Sequence, residues 1–233
     1  MGSRVWLVTG ASGGLGQALV SEVLGSGERA IAVTRDDEPP RPLTAAFPHD
    51  AEPRAQFEVD FFAAADVLRA ALPYLRAAKA GRVLQISSLA GQIGAPGTSA
   101  YTAGKHALEG LSVSLAAELA PLDIRATIVE PGAARTVFRA DWASRLPGSA
   151  ALPDHLPVHE APARSAGAVG GQVGDPARMA RALVVLAGMP SPPLRLPLGS
   201  DALAGIDNAR SDQLQELRRF ATLSASTDHT KAI

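Results

Sequence analysis

Arg4-Val5-Trp6-Leu7-Val8-Thr9-Gly10-Ala11-Ser12-Gly13-Gly14-Leu15-Gly16 is the stretch whose reading decides the fold. Its first six residues are a short apolar, β-favouring run, its glycines mark a turn, and Gln17 to Leu24 then carries apolar residues at helical spacing. Ala30 to Thr34 is a second apolar run, at the distance that one crossover helix needs before a parallel strand. A βαβ unit is therefore complete at about residue 34. Gly10, Gly14 and Gly16 would let the backbone turn tightly and approach a pyrophosphate, whose charge would meet the unpaired N–H groups at the helix start. A tight turn without a ligand is the other reading of the same glycines.

Strand and helix go on alternating downstream. Residues 36–56 are acidic and broken by Pro39, Pro40, Pro42, Pro48 and Pro53, which leaves room for no strand and at most one helical turn. A helix is predicted over Phe57 to Ala78, a strand over Arg82 to Ser87, a helix over Ser99 to Ala120, and a strand over Ile124 to Glu130 closed by Pro131-Gly132. Asp175-Pro176 has the order of a capping residue and first-turn proline for a helix through Leu186. Leu194 to Leu198 reads as an edge strand, where Pro197 is tolerable, and residues 206–223 as a closing amphipathic helix. Residues 139–174, rich in Pro, Ala, Gly and Ser, read as a substrate loop or lid. The alternation predicts an α/β fold with a doubly wound parallel sheet, in one domain over residues 1–233.

Tyr101 and Lys105 stand four residues apart in a chain with only two tyrosines and three lysines. On a helix the two side chains share one face, so an ammonium stands beside a phenol. A neighbouring cation favours phenolate and lowers a pKa normally near 10, as acid–base chemistry near neutrality requires. A surface tyrosine beside a solvated lysine is the bland alternative. At the end of the second strand, an acidic residue would suit the ribose of NAD and an arginine the 2′-phosphate of NADP. Thr34-Arg35 occupies that place, which favours NADP(H), although Asp36 and Asp37 follow and pull the other way.

Bulk properties exclude several classes. The 22 basic and 23 acidic side chains are interspersed, giving a formal charge of −1 that offers nothing to nucleic acid. There is no cysteine, hence no disulfide and no thiolate site. His155 and His159 are separated by Pro157, which spoils a shared helical face, and no metal site is expected. The sequence shows neither a secretory signal pattern nor a twenty-residue apolar run, so a soluble, cytoplasmic protein without membrane contact is expected.

Taken together, Thr9-Gly10-x-x-x-Gly14-x-Gly16, Ser88, Tyr101-x-x-x-Lys105 and Pro131-Gly132 resemble the short-chain dehydrogenase/reductase family, from about Arg4 to Thr34 and again from about Gln56 onward. The resemblance implies a Rossmann-like domain in which Tyr101 exchanges the proton at the substrate oxygen, Lys105 tunes it and binds the nicotinamide ribose, and Ser88 bonds the substrate oxygen. It also implies that Thr9, Gly10, Ser12, Gly14, Leu15, Gly16, Arg35, Pro131, Gly132 and Thr136 contact the cofactor. The chain departs from the family between residues 35 and 56, where the strand-helix-strand block ending in Asn-Asn-Ala-Gly is missing. Asp60 then falls at the active-site asparagine, where its carboxylate could pair with Lys105. Loss of that block predicts five parallel strands in the flavodoxin-like order 2-1-3-4-5. The expected function is NADP(H)-dependent interconversion of a carbonyl and an alcohol on a small apolar molecule. The alternatives are non-redox proton transfer by an isomerase, dehydratase or cyclase, and a non-catalytic binding protein. Surplus apolar residues on the helices at 57–78 and 99–115 suggest a homodimer or homotetramer, as for their counterparts in the family.

Overall fold

The computed structural model describes residues 4–34, 52–95, 98–136 and 171–229. Arg35 and nearly all of the expected lid at 139–174 lie outside the described residues. In chain order the elements are β1 (Val5–Thr9), α1 (Gly14–Gly25), β2 (Arg29–Val33), α2 (Glu52–Phe57), a π-helical turn (Glu58–Phe62), α3 (Ala63–Ala78) and β3 (Gly81–Ile86). A 3-10 turn (Leu89–Gly91), α4 (Ser99–Leu119), a second 3-10 turn (Ala120–Leu122), β4 (Ile124–Pro131), α5 (Pro176–Gly188), β5 (Arg195–Leu198), α6 (Ser200–Arg219) and α7 (Ala221–Ala225) follow.

All strand pairings are parallel, β1 with β2, β3 with β4 and β4 with β5. The neighbours 2-1 and 3-4-5 of the expected order are therefore present, but no backbone pairing joins β1 to β3 among the described residues. β3 is committed to β4 through six residue pairs from Gly81↔Ile124 to Ile86↔Val129, so it could reach β1 only by carrying β4 and β5 with it. What unites the two groups is the core. Val8 of β1, Leu19 and Val23 of α1, Val129 of β4, Leu198 of β5 and Met179, Ala180, Leu183 and Leu186 of α5 form one buried cluster.

A second cluster covers the other face of β3 and β4, where Val83, Ile124 and Ala126 meet Leu68 of α3 and Leu115 and Leu119 of α4. Val83 faces this cluster while its neighbour Leu84 packs on the first, as period-two alternation demands of a strand covered on both sides. The corresponding face of β1 and β2 is open instead: Val5, Leu7, Ile31 and Val33 are 54%, 48%, 55% and 40% exposed. The ribbon's other end is tied down by Glu28, whose carboxylate accepts hydrogen bonds from the Arg4 guanidinium at 2.8 and 2.5 Å and from the Trp6 indole. The Arg4 bond holds this carboxyl below its usual range.

Most boundaries fall within two residues of expectation. Asp175 caps α5 by accepting from the N–H groups of Ala177 and Arg178, and Pro176 takes the first helical position. Two elements differ. The helix expected from Phe57 begins at Glu52 and carries the π turn, and α6 starts at Ser200, six residues before the expected helix, directly after Gly199 at φ +111°. None of the helices among the described residues is long and apolar enough to cross a membrane.

Candidate active site

The glycine turn is built at the carboxyl end of β1. Gly10 and Gly14 adopt φ of +66° and +55°, a region that side chains with a Cβ avoid. A Cβ on Gly16 would stand 2.2 Å from the Gly10 carbonyl oxygen, so the helix can close on the turn only with glycine there. Gly13 is the N-cap of α1 and supplies no side chain, which leaves the first-turn N–H groups for an anion. Thr9 ends β1, Ser12 lies in the turn, and Leu15 packs into the core, anchoring the helix start. A Cβ at Gly14 would lie 3.4 Å from Thr136, so the segment after β4 reaches the glycine turn. The turn and the helix start thus fit a dinucleotide diphosphate.

Ser88, Tyr101, Lys105 and Asp60 come together at the carboxyl end of β3. Ser88 caps the 3-10 turn, accepting from the Ala90 N–H at 3.1 Å, and its side chain is near enough to Tyr101 to pull the phenol's pKa down. Ser87 instead donates its backbone N–H to Val129 and is buried, so Ser88 is the serine that meets the tyrosine. One helical turn beyond Tyr101, the Lys105 Nζ donates to the Ile86 carbonyl at 3.3 Å and lies 5.7 Å from the centre of the Tyr101 ring. The same ammonium stands 3.4 Å from Asp60 Oδ1, with both side chains largely out of solvent. Gln56 donates to the other Asp60 oxygen at 2.5 Å. Asp60 reaches this place because it sits in the π turn, a local widening often found at functional sites, and because Gly104 of α4 leaves space: a Cβ there would be 3.2 Å from the Asp60 Cβ.

Other residues that support the site are not evident from motif spacing. Asp201, in the first turn of α6, accepts the Ala133 N–H at 2.7 Å, and Gly132 N–H donates to Leu198. The loop after Pro131 is held against this carboxylate at a distance that only glycine at 132 allows. Beneath the Ser88 turn lies a buried charge cluster in which Arg195 of β5 donates to Glu109 of α4 and, at 3.0 Å, to Glu130 of β4. Gln92 donates to Glu109 at 2.9 Å and accepts from Arg210 at 2.7 Å. Burial raises the Glu130 carboxyl above its usual range, against the pull of Arg210 and Gln92. Glu109 follows Lys105 by the same four residues that separate Lys105 from Tyr101, which is the signal that would have revealed it.

A parallel α/β domain with a glycine turn and a Ser-Tyr-Lys group at the carboxyl ends of its strands defines a class of nucleotide-dependent enzymes. Residues 43–146 match the sequence profile of the short chain dehydrogenase family. The chain is 31% identical to an oxidoreductase of Botryotinia fuckeliana, across 86% of this chain and 90% of that protein. That alignment spans 258 positions, more than the 233 residues present here, as expected if the relative carries a block this chain lacks. The crystal structure of a short-chain dehydrogenase from Streptomyces avermitilis superposes with a TM-score of 0.81 at 32% identity, covering 98% of this chain and 100% of that one. A short chain dehydrogenase from Burkholderia cenocepacia, solved in complex with NADP, shares the fold with a TM-score of 0.66 at 19% identity, covering 93% and 97%. The chain belongs to the short-chain dehydrogenase/reductase family and is an oxidoreductase of that family.

In one respect the site departs from the sequence reading. Spacing alone predicts that Lys105 lowers the Tyr101 pKa, whereas the phenol is pushed up to about 12. Burial is the main cause, the Asp60 charge adds to it, and the hydrogen bond with Ser88 opposes both. Lys105 is close, but Asp60 pairs with its charge. With tyrosine labelled at Cζ with carbon-13, only two signals arise, and Tyr74→Phe assigns them. The Tyr101 signal should keep its phenol shift at pH 10, where about one molecule in a hundred is ionised. A midpoint at or below 10 would contradict this account of the pocket.

Proposed function

We propose that this protein reduces the carbonyl of a small, apolar molecule with NADPH, and that Tyr101 is the proton donor. The observation that carries the proposal is the convergence of Ser88, Tyr101 and Lys105 at the strand ends that also hold the glycine turn. A phenol with a pKa near 12 stays protonated across the neutral range, which suits an acid in the reductive direction. Tyr101 Oη gives its proton to the substrate oxygen, Ser88 Oγ holds that oxygen, and Lys105 lies against the tyrosine ring and orients the ribose side of the site. The nicotinamide, when bound, supplies the hydride to the carbonyl carbon. Gly10, Ser12, Gly14, Leu15 and Gly16 would hold the diphosphate through backbone N–H groups, and Pro131, Gly132 and Thr136 the nicotinamide end. Arg35 would take the 2′-phosphate, which is the ground for preferring NADPH to NADH. Nothing in the site favours a non-redox or non-catalytic reading.

Titration with NADPH and NADH, followed by nicotinamide fluorescence and thermal shift, tests the proposal. Ligand at about a thousand times its dissociation constant stabilises by roughly 4 kcal/mol, and the shift should be larger for NADPH at equal concentration. Tyr101→Phe should keep that binding and abolish carbonyl reduction; reduction that persists in this variant would remove Tyr101 as the acid.

Asp60 sets the pH dependence of the chemistry in this proposal. Its carboxylate neutralises Lys105 and raises the tyrosine pKa, so the alcohol-oxidising reaction, which needs the phenolate, should climb with pH up to the alkaline limit. Asp60→Asn removes the charge that raises the phenol and frees the ammonium. The oxidation profile should then shift to lower pH while reduction at pH 7 changes little, and an unmoved profile would rule out this role for Asp60.

The protein is further proposed to act as a single-domain, cytoplasmic homodimer or homotetramer, with residues 139–174 over the substrate. Val67 and Tyr74 of α3 and Val113 of α4 are exposed, Tyr74 at 79%, and would be covered by a second copy. A monomeric mass in light scattering would refute the assembly.

A further inference from the structure

One face of α4 carries Tyr101, Lys105 and Glu109 at successive turns, and all three grip the same short segment. The Ser88 side chain pulls on the Tyr101 phenol, Lys105 donates to the carbonyl of Ile86, and Glu109 accepts from the side chain of Gln92. Gln92 directly follows the 3-10 turn that Ser88 caps, and its own N–H donates to the Leu89 carbonyl. The turn is thereby held at both ends by a single helix.

The polarity of the outer contact is fixed. Arginine can only donate, so the oxygen of Gln92 must face Arg210 and its amide NH2 must face Glu109. Arg195 donates to the same Glu109 oxygen and also to Glu130, which immediately precedes Pro131. Glu109 is only 4% exposed and Glu130 1%, so these bonds act where water does not compete for them. The remaining Glu109 oxygen and the hydroxyl of Ser87 have no hydrogen-bond partner, and both lie beside Gly91. A Cβ on residue 91 would stand 2.5 Å from Ser87 Oγ and 2.9 Å from Glu109 Oε1, so the turn packs on the carboxylate with no slack.

We propose that Glu109, with Gln92 and Arg195, is a positioning group of the active site: it holds the far end of the Ser88 turn and so sets the contact between Ser88 and Tyr101. The proposal rests on Tyr101 and Ser88 being the reacting pair. Glu109 touches neither substrate nor cofactor; it acts through Gln92 and the turn. It also links the tyrosine helix to the Pro131 loop, since Arg195 bridges the carboxylates of α4 and β4.

The test compares the carbon-13 Cζ signal of Tyr101 at pH 8 in the wild type and in Ser88→Ala, Glu109→Gln and Gln92→Met. Glu109→Gln keeps the shape of the side chain but removes its charge, and Gln92→Met removes the link to the turn. Ser88→Ala calibrates the shift that follows loss of the Ser88 hydroxyl. Both positioning variants should move the Tyr101 signal in the direction of Ser88→Ala and leave Tyr74 unmoved. They should lower kcat for carbonyl reduction roughly 10- to 100-fold, the range that a small misplacement of reacting groups produces, with the dissociation constant for NADPH unchanged. A wild-type Tyr101 signal and wild-type kcat in both variants, each folded by circular dichroism, would overturn the proposal. If Glu109→Gln does not fold, Gln92→Met alone decides by the same two readouts. A Tyr101 signal that does not respond to Ser88→Ala would instead remove the reacting pair, and wild-type protein inert towards NADPH and carbonyls would remove the reductase function. Each failure is therefore distinguishable from the others.

Discussion

The site depends on the docking of one face of α4 against the carboxyl end of β3. Lys105 Nζ reaches the last carbonyl of that strand, and the contacts on either side of it, Tyr101 with Ser88 and Glu109 with Gln92, follow from helical geometry once that docking is made. The docking is made rigid from below, where Leu115 and Leu119 of the same helix pack on Val83, Ile124 and Ala126. A surface helix holding the same residues would leave them solvated, with ordinary titration and no fixed partner. Packing therefore turns a Tyr-Lys pair into an acid whose proton is retained far above neutrality.

Among the described residues, the half of the fold that carries the glycine turn is the thinner one. β1 and β2 carry the glycine turn, yet among the described residues they join β3, β4 and β5 through α1, α5 and the buried cluster around Val8 and Leu183 rather than by a strand pairing. Val5, Leu7, Ile31 and Val33 of this ribbon stay exposed, whereas Val83, Ile124 and Ala126 of β3 and β4 are covered by α3 and α4. Contact between Thr136 and the Gly14 position still brings the end of β4 to the glycine turn. Geometry that fits a diphosphate is thus present, on a ribbon whose Val5, Leu7, Ile31 and Val33 stay exposed.

Much of this was legible in the sequence because it is encoded locally. The βαβ unit is written in the spacing of Val5 to Val33, the α5 cap in Asp175-Pro176, and the candidate site in the positions of Ser88, Tyr101 and Lys105. The place of Asp60 in the sequence allows it to pair with Lys105, and the two side chains do meet. The π turn that brings Asp60 inward was not legible, since Glu58 to Phe62 reads as ordinary helix. Nor was the sign of the tyrosine shift, because spacing reports the lysine four residues away but not the burial, nor the charge 41 residues upstream. The bond between Glu109 and Arg195 joins residues 86 apart, and the lack of a pairing between β1 and β3 among the described residues is a property of assembled sheets. Such features belong to tertiary packing, which no window of sequence contains.

The central claim is that the glycine turn and the Tyr101 group still face one shared site despite the missing block. A crystal structure of the protein soaked or grown with NADPH tests this most directly. The account predicts the diphosphate on the N–H groups of residues 12–16 and the nicotinamide ring between Thr136 and Tyr101, with Lys105 at its ribose. A nucleotide bound at the turn with its nicotinamide directed away from Tyr101, or bound elsewhere on the molecule, would contradict it.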